Sequence, residues 1–198
     1  MLRPGLLRMT TEQMDNATLR TASLEDEAAV SALLTTAGLP LEGVHEALLC
    51  FVVAEDAGEI VGVAGIEACG VKGEHALLRS VAVAPAWQKR GLGRALVTRT
   101  IAEAEGRGIK ALYLLTTTAE QYFPTFGFTV VSRESVPDDV KETPEYRGVC
   151  PSSATVMVRQ CADPAASPDY CATYCSATCT RTGPRSRPCS AMRRRRST

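Results

Sequence analysis

The segment 77–95, LLRSVAVAPAWQKRGLGRA, leaves few options for the rest of the chain. Leu77, Leu78, Val81 and Val83 read as a buried strand, Pro85 breaks it, and a helical pattern starts around Gln88, Lys89, Arg90, Gly91, Leu92 and Gly93. A strand that turns through glycines into a helix presents the helix's unpaired N–H groups and positive dipole end. Glycine lets a bulky anion approach that backbone, and Lys89, Arg90 and Arg94 add positive charge, so the segment fits a phosphate-bearing ligand. The same residues also suit a plain strand-to-helix turn. No Gly-Lys-Ser/Thr comes after it, as a P-loop requires, and the glycine spacing is not that of a dinucleotide fingerprint.

The flanking patterns predict the elements around it. Residues 19–22 read as a first strand, and Ser23 with Asp26 forms a capping pair for a helix with Val30, Leu33 and Leu34 on one face. Gly38-Leu39-Pro40 ends that helix, and 41–49 reads as a short second helix in which His45 is a surface residue. Strands 51–55 and 60–67 are joined by the turn Asp56-Ala57-Gly58, while Gly62 and Gly65 inside the second predict close packing or a bulge. After a polar turn at 70–74 and the 77–83 strand, helix 93–106 turns Leu96, Val97, Ile101 and Ala104 inward. The strand at 110–115 is expected to run parallel to its predecessor, because a helix crosses between them. Thr116, Thr117 and Thr118 are expected to cap a helix from Ala119 to Gly127, with strands after it at 128–131 and 154–159.

With 198 residues and 45% hydrophobic content, the chain can bury one substantial core. No apolar run reaches the about eighteen residues of a membrane span, and the N-terminal sequence is a poor export signal. The formal net charge of zero argues against nucleic acid as a partner. That zero hides a basic end: from Cys161 onward seven arginines face two aspartates, and large aliphatic residues almost vanish. Such a composition cannot offset its ordering entropy, so the expected organisation is a flexible 1–17, a folded 18–160 and a disordered Cys/Arg-rich tail at 161–198. Cys171, Cys175 and Cys179 are evenly spaced, but with no histidine or CxxC pair beside them and a poor helix-forming context no metal site is expected. The tail also resembles an out-of-frame reading of GC-rich DNA, and the run Arg193 to Arg196 reads as solvated.

Gln88-x-x-Gly91-x-Gly93 after VAVAP resembles the coenzyme A pyrophosphate loop of the GNAT family of N-acetyltransferases. Gly127-Phe128 matches the pair that closes the family's pantetheine-packing helix. The threonines and aromatic pair of LLTTTAEQYFPTFGF resemble N-acetylglutamate synthases and, more closely, the N-acetyltransferases of bacterial arsenic-resistance operons. Val136-Pro137, Lys141, Tyr146, Arg147 and Ser152-Ser153 before the last strand keep the synthases' order. The resemblance spans about 18–160 and implies one α/β (α+β) domain with a mixed, centrally splayed sheet flanked by helices.

It also implies roles. Val81, Ala82 and Val83 would hold the thioester and pantetheine through the backbone. Pyrophosphate would fall to Gln88, Lys89, Arg90, Gly91, Leu92, Gly93 and Arg94, with Thr118 and Phe123 along the pantetheine arm. Many members carry a thiolate-protonating tyrosine where this chain has Phe123; Tyr122 stands beside it. Glu67 is the first candidate for proton acceptor, its alternative being an exposed strand-end carboxylate. Arg79, Ser80, Thr117, Arg147, Ser152 and Ser153 are the expected substrate contacts, a guanidinium being suited to a carboxylate, phosphinate or arsinate; for both arginines a structural ion pair is the alternative. Cys150 is expected to be a buried thiol. The implied activity is acetyl-CoA-dependent acetylation of the α-amine of a glutamate-like amino acid, arsinothricin or phosphinothricin first, N-acetylglutamate synthesis next. A non-catalytic acetyl-CoA sensor or arsenic-binding accessory protein is the alternative of another class. A small-molecule partner, a homodimer through the sheet edge or the final strands and a cytoplasmic location complete the expectation.

Overall fold

The computed structural model describes residues 17–70 and 73–161. The expectations on residues 1–16, on the 71–72 part of the second polar turn and on the tail beyond 161, with Cys171, Cys175, Cys179 and Arg193 to Arg196, lie outside the described residues.

Seven strands form one mixed sheet in the order β1-β2-β3-β4-β5-β7-β6. Strands β1 (Thr18–Thr21), β2 (Phe51–Asp56), β3 (Glu59–Cys69) and β4 (His75–Val83) are antiparallel neighbours. The β2–β3 turn is tight because Ala57 and Gly58 both take positive φ, at 49° and 87°, a twist that suits a two-residue hairpin. Helix α3 (Leu92–Gly106) carries the chain back so that β5 (Ala111–Thr116) runs parallel to β4, as expected. Strand β7 (Thr155–Gln160) lies between β5 and the edge strand β6 (Thr129–Val131), antiparallel to both.

One face of the sheet is covered by α3, whose Leu96, Val97, Thr100, Ile101 and Ala104 are buried. The other face carries α1 (Glu27–Thr36), the one-turn α2 (Val44–Ala47) and α4 (Asp138–Lys141). Asp26 is fixed before α1 by the Ser23 N–H at 2.7 Å and by two Arg20 nitrogens at 2.7 and 2.8 Å. The Arg20 guanidinium holds the Asp26 carboxyl far below the usual carboxylate range. Both strand glycines are close-packing positions: a Cβ on Gly65 would lie 2.3 Å from the Phe51 ring, and one on Gly62 would lie 2.7 Å from Leu96.

The feature that shapes the site is a bulge in β4. Ala82 pairs with Val63 but Arg79 pairs with Gly65, so β4 holds one extra residue there, and Ser80 takes φ +55°. An inserted residue bends a strand and increases its twist. It also changes which side chains face which layer: Leu77 packs towards α4 and Ala82 towards α1, whereas Leu78 packs towards α3. β4 has already left β5 where the bulge begins, and the parallel pairing is confined to His75, Ala76 and Leu77 on Ala111, Leu112 and Tyr113. The sheet is therefore splayed at its centre, as the resemblance implied.

The segment after β5 differs from the expected helix over 119–126. The Thr116 hydroxyl accepts from the Ala119 N–H at 3.0 Å, but the chain then forms only one short turn, Phe123–Phe126. Pro124 cannot donate a backbone hydrogen bond and its ring clashes with a helical turn before it, so a helix over 119–126 is broken in its interior. Gly127, at φ +83°, ends the turn where expected.

Candidate active site

At the end of β4 the backbone builds a cradle of N–H groups. Lys89 and Gly91 take positive φ, 62° and 86°, on either side of Arg90, and Gly91 caps α3. Ala95 is the first α3 residue whose N–H bonds back to the loop, reaching the Gly91 carbonyl at 3.0 Å, so those of Leu92, Gly93 and Arg94 lack intrahelical acceptors. The Gln88 side chain donates to the Val83 carbonyl at 3.1 Å and ties the loop to the strand. Ala84 donates to Val61 on β3, so strand alternation turns the N–H and C=O of Val83 away from β3, towards the gap. Arg90 lies over Trp87 and Arg94 over Phe126, with guanidinium-to-ring distances of 5.6 and 5.4 Å. Helix end, left-handed residues and flanking cations together fit a pyrophosphate.

The gap between β4 and β5 continues into a cavity of 320 Å³. Its walls include Leu78, Arg79, Ser80 and Val81 from β4, Thr116 to Ala119 and Phe123 at and after the end of β5, and Glu145, Val149 and Cys150 from the closing segment, residues 132–154 between β6 and β7. Leu39 and Pro40, on the loop after α1, also wall it.

Arg79 is the hub of this cavity. It is 4% exposed, and its Nη1 donates to Glu67 Oε2 at 2.5 Å. Its Nε lies 3.2 Å from Glu145 Oε2 and 3.4 Å from Ser80 Oγ, and its Nη2 donates to the Glu42 carbonyl. The Arg79–Glu67 contact is a diagonal cross-strand pair: Glu67 faces Leu77, two residues along β4. Gly43 keeps φ +72° where a Cβ would stand 3.0 Å from Arg79 Nη1. One guanidinium thus joins β3, β4, the α1–α2 loop and the closing segment. Burial pushes the Glu145 carboxyl up, Arg79 pulls it down, and Glu67 and Glu42 add to the rise.

The expected residues separate into groups. Arg79, Ser80, Val81, Thr117, Thr118 and Phe123 come together around the cavity. Glu67 stands behind Arg79 as its ion-pair partner. Arg147 is exposed, and so are Ser152 and Ser153, in the turn between the cavity residues Pro151 and Ala154. Cys150 is half-buried and its thiol is pushed up by burial, which suits a thiol more than a nucleophile. His45 is exposed and paired with Glu27 at 2.9 Å. Among the described residues no group of three or more metal-ligating side chains gathers, and no helix is long and apolar enough to cross a membrane. Glu145 is not apparent from the sequence: one carboxylate within ETPEYRGV carries no sign of burial.

Tyr122 and Phe123 part company. Phe123 is buried in the cavity wall, while Tyr122 turns its hydroxyl to α3, 3.4 Å from where a Cβ on Gly93 would be. That puts the Tyr122 hydroxyl at the glycine loop, out of the cavity wall.

The Acetyltransferase (GNAT) family model matches residues 15–128, which include β1 to β5, the loop and the Gly127-Phe128 pair. The chain belongs to the GNAT acetyltransferase family. It is 28% identical over 131 residues to an uncharacterized N-acetyltransferase of Chlorobaculum tepidum, covering 62% of this chain and 81% of that one. Among solved structures, it superposes on N-acetylglutamate synthase of Neisseria gonorrhoeae, complexed with coenzyme A and N-acetyl-glutamate, with a TM-score of 0.63 and 23% identity. That match covers 74% of this chain but only 35% of the synthase. Diaminobutyrate acetyltransferase of Paenibacillus lautus, in complex with L-2,4-diaminobutyric acid and coenzyme A, gives 0.55 and 18% over 74% of this chain and 95% of that one. At these identities the two structures establish the fold.

Membership makes the chain an acetyl-CoA-dependent N-acetyltransferase, and the N–H groups of Leu92, Gly93 and Arg94 at the start of α3 suit a pyrophosphate, whereas that of Gln88 is bonded to the Pro85 carbonyl at 3.4 Å. The position of Tyr122 gives a first expected result. Tyr122→Phe should raise the KM for acetyl-CoA by up to about threefold, the loss of one modest hydrogen bond, and leave kcat within twofold. A fall in kcat of about a hundredfold would instead make that hydroxyl the acid that protonates the thiolate.

Proposed function

We propose that this GNAT enzyme acetylates the α-amine of a small, glutamate-like amino acid, with the glutamate mimics arsinothricin and phosphinothricin as its first acceptors and detoxification as the outcome. The observation that carries the reading is the buried Arg79 cluster in the wall of a cavity that opens into the splay of the sheet. An amino acid brings an ammonium and a carboxylate, and the cluster offers carboxylates and a guanidinium within a few ångströms. Ser80, Thr117 and Thr118 add hydroxyl groups at the cavity. Arg147, Ser152 and Ser153 lie on the closing segment and would reach the acceptor's second acidic group from the rim. Val81 and Val83 direct backbone groups at the thioester and pantetheine, with Ala82 holding the strand to β3. Proton removal falls to a carboxyl group of the Arg79 cluster.

A second reading has its own support. One guanidinium already faces two carboxylates, which favours an acceptor with a further ammonium, such as a diamine. Mass analysis of products after incubation with acetyl-CoA separates the readings: a single acetyl group on the α-nitrogen of phosphinothricin or arsinothricin supports the first, and acetylation confined to a diamine replaces it with the second.

A further inference from the structure

Acetyl transfer needs a neutral amine, and the two carboxyl groups at Arg79 are placed differently for making one. Glu67 is not in the cavity wall: its Oε2 is held at 2.5 Å by Arg79 Nη1, and its place at the end of β3 suits a group that orients the guanidinium. Glu145 walls the cavity, is 8% exposed, and its buried Oε2 accepts no hydrogen bond among the described residues, although Arg79 Nε lies 3.2 Å away. A buried carboxylate short of donors costs free energy that a donor arriving at its cavity side recovers. The donor an acceptor amino acid or diamine supplies is its ammonium. The backbone that presents Glu145 is unusual as well: the Cys150 N–H donates to the Glu145 carbonyl five residues back at 3.0 Å, a wide turn of the kind found at functional sites.

Resting on the proposed acetyltransferase reading, we infer that Glu145 is the general base of the reaction and the anchor for the acceptor's ammonium. The ammonium gives one proton to the Glu145 carboxylate on its cavity side and becomes a neutral amine. Its lone pair forms the C–N bond at the thioester carbonyl while the C–S bond breaks and sulfur leaves with the electron pair. The second amine proton reaches the thiolate through solvent, and Glu145 then releases its own proton to solvent. The charged and titratable groups that face Glu145 are Arg79 from β4, Glu67 from β3, Glu42 from the α1–α2 loop and Cys150 from its own segment. Arg79 keeps the carboxyl able to ionise, and burial with the two glutamates makes it a stronger base than a free carboxylate. The acceptor class is therefore primary amines protonated in solution, whose ammonium fits between Glu145 and the thioester.

The test compares the full-chain protein with Glu145→Gln, which keeps the size of the side chain, using acceptors the wild type turns over. Coenzyme A affinity should be unchanged, showing that the fold persists. The expected result is a loss of about a hundredfold or more in kcat/KM, with the rise of the pH profile moved from the carboxyl's titration to that of the acceptor's own amine. An unchanged profile with kcat/KM within about threefold overturns the assignment. A second readout needs no turnover. With 13C-labelled glutamate side chains, the signal lost in Glu145→Gln should titrate above the ordinary carboxylate range and shift when a diamine or amino acid is added with coenzyme A. A signal that titrates in the ordinary range and ignores the amine also overturns it. Silence of the wild type towards every amine, with the Glu145 signal still titrating high and responding to amine, would instead count against the choice of acceptors in the proposed function.

Discussion

Replacing Arg79 with methionine should lower folding stability by about 3–5 kcal/mol and abolish acetyl transfer, because the cost of a broken buried ion pair lies in the charges left behind. Arg79 is the strut between Glu67, Glu145, Ser80 and the Glu42 carbonyl, so its loss strands two carboxylates, one in the cavity wall and one behind it. Urea unfolding should show the midpoint falling with the slope unchanged. The effect should also depend on pH in a defined direction. The Glu145 carboxyl is already raised in the folded state, and Arg79 is the neighbour that lowers it. Without Arg79 it rises further above its unfolded value. A carboxyl whose folded pKa exceeds its unfolded one binds protons more tightly when folded, so stability falls as pH rises through the window between them. The variant should therefore lose more stability at pH 8 than at pH 5. A uniform loss of less than 1 kcal/mol at both would show that the cluster is solvated and that Arg79 is not its strut. Arg79→Lys keeps the charge but not the fork of donors, and belongs between the wild type and the methionine variant.

The second large effect is expected at the glycine loop. Gly91→Val puts a β-branched residue at φ +86°, a left-handed conformation that costs an L-residue about 1–2 kcal/mol. The loop should settle in another conformation and lose the N–H cradle, so that coenzyme A binding weakens by about five- to thirtyfold. Calorimetry reads this directly. An unchanged Kd would mean that the phosphates are held by Lys89, Arg90 and Arg94 as exposed charges, in which case affinity should fall steeply with salt.

Sequence periodicity is informative in some parts of this chain and silent in others. The 77–95 segment is legible because three signals coincide there, an aliphatic strand, a proline break and glycines before a helical pattern, and the structure has β4, the loop and α3 in those places. Gly62 and Gly65 announce close contacts, and Leu96 and Phe51 fill the space above them. The bulge at Ser80 has no such announcement: one extra residue in an aliphatic strand changes neither composition nor alternation enough to be seen. The Arg79 cluster is half legible. Arg79 and Glu67 stand out as separate functional groups, one for the substrate and one for the proton, but a diagonal pair across two strands is set by register, which sequence alone does not supply. Glu145 escapes notice because acidic residues in a polar stretch ordinarily face water, and only the return of the closing segment over β4 buries it. The helix expected at 119–126 rests on its cap and its terminal glycine. Both are real, but the residues between them do not sustain a helix.

The most direct test of the proposed activity is thiol release from acetyl-CoA by the full-length protein, offered glutamate, phosphinothricin, arsinothricin and a diamine in parallel. Turnover with the two glutamate mimics is expected at a kcat/KM at least tenfold above that for the diamine. Turnover with the diamine alone would contradict it, showing that the Arg79 cluster selects for positive charge and not for an amino acid's paired ammonium and carboxylate.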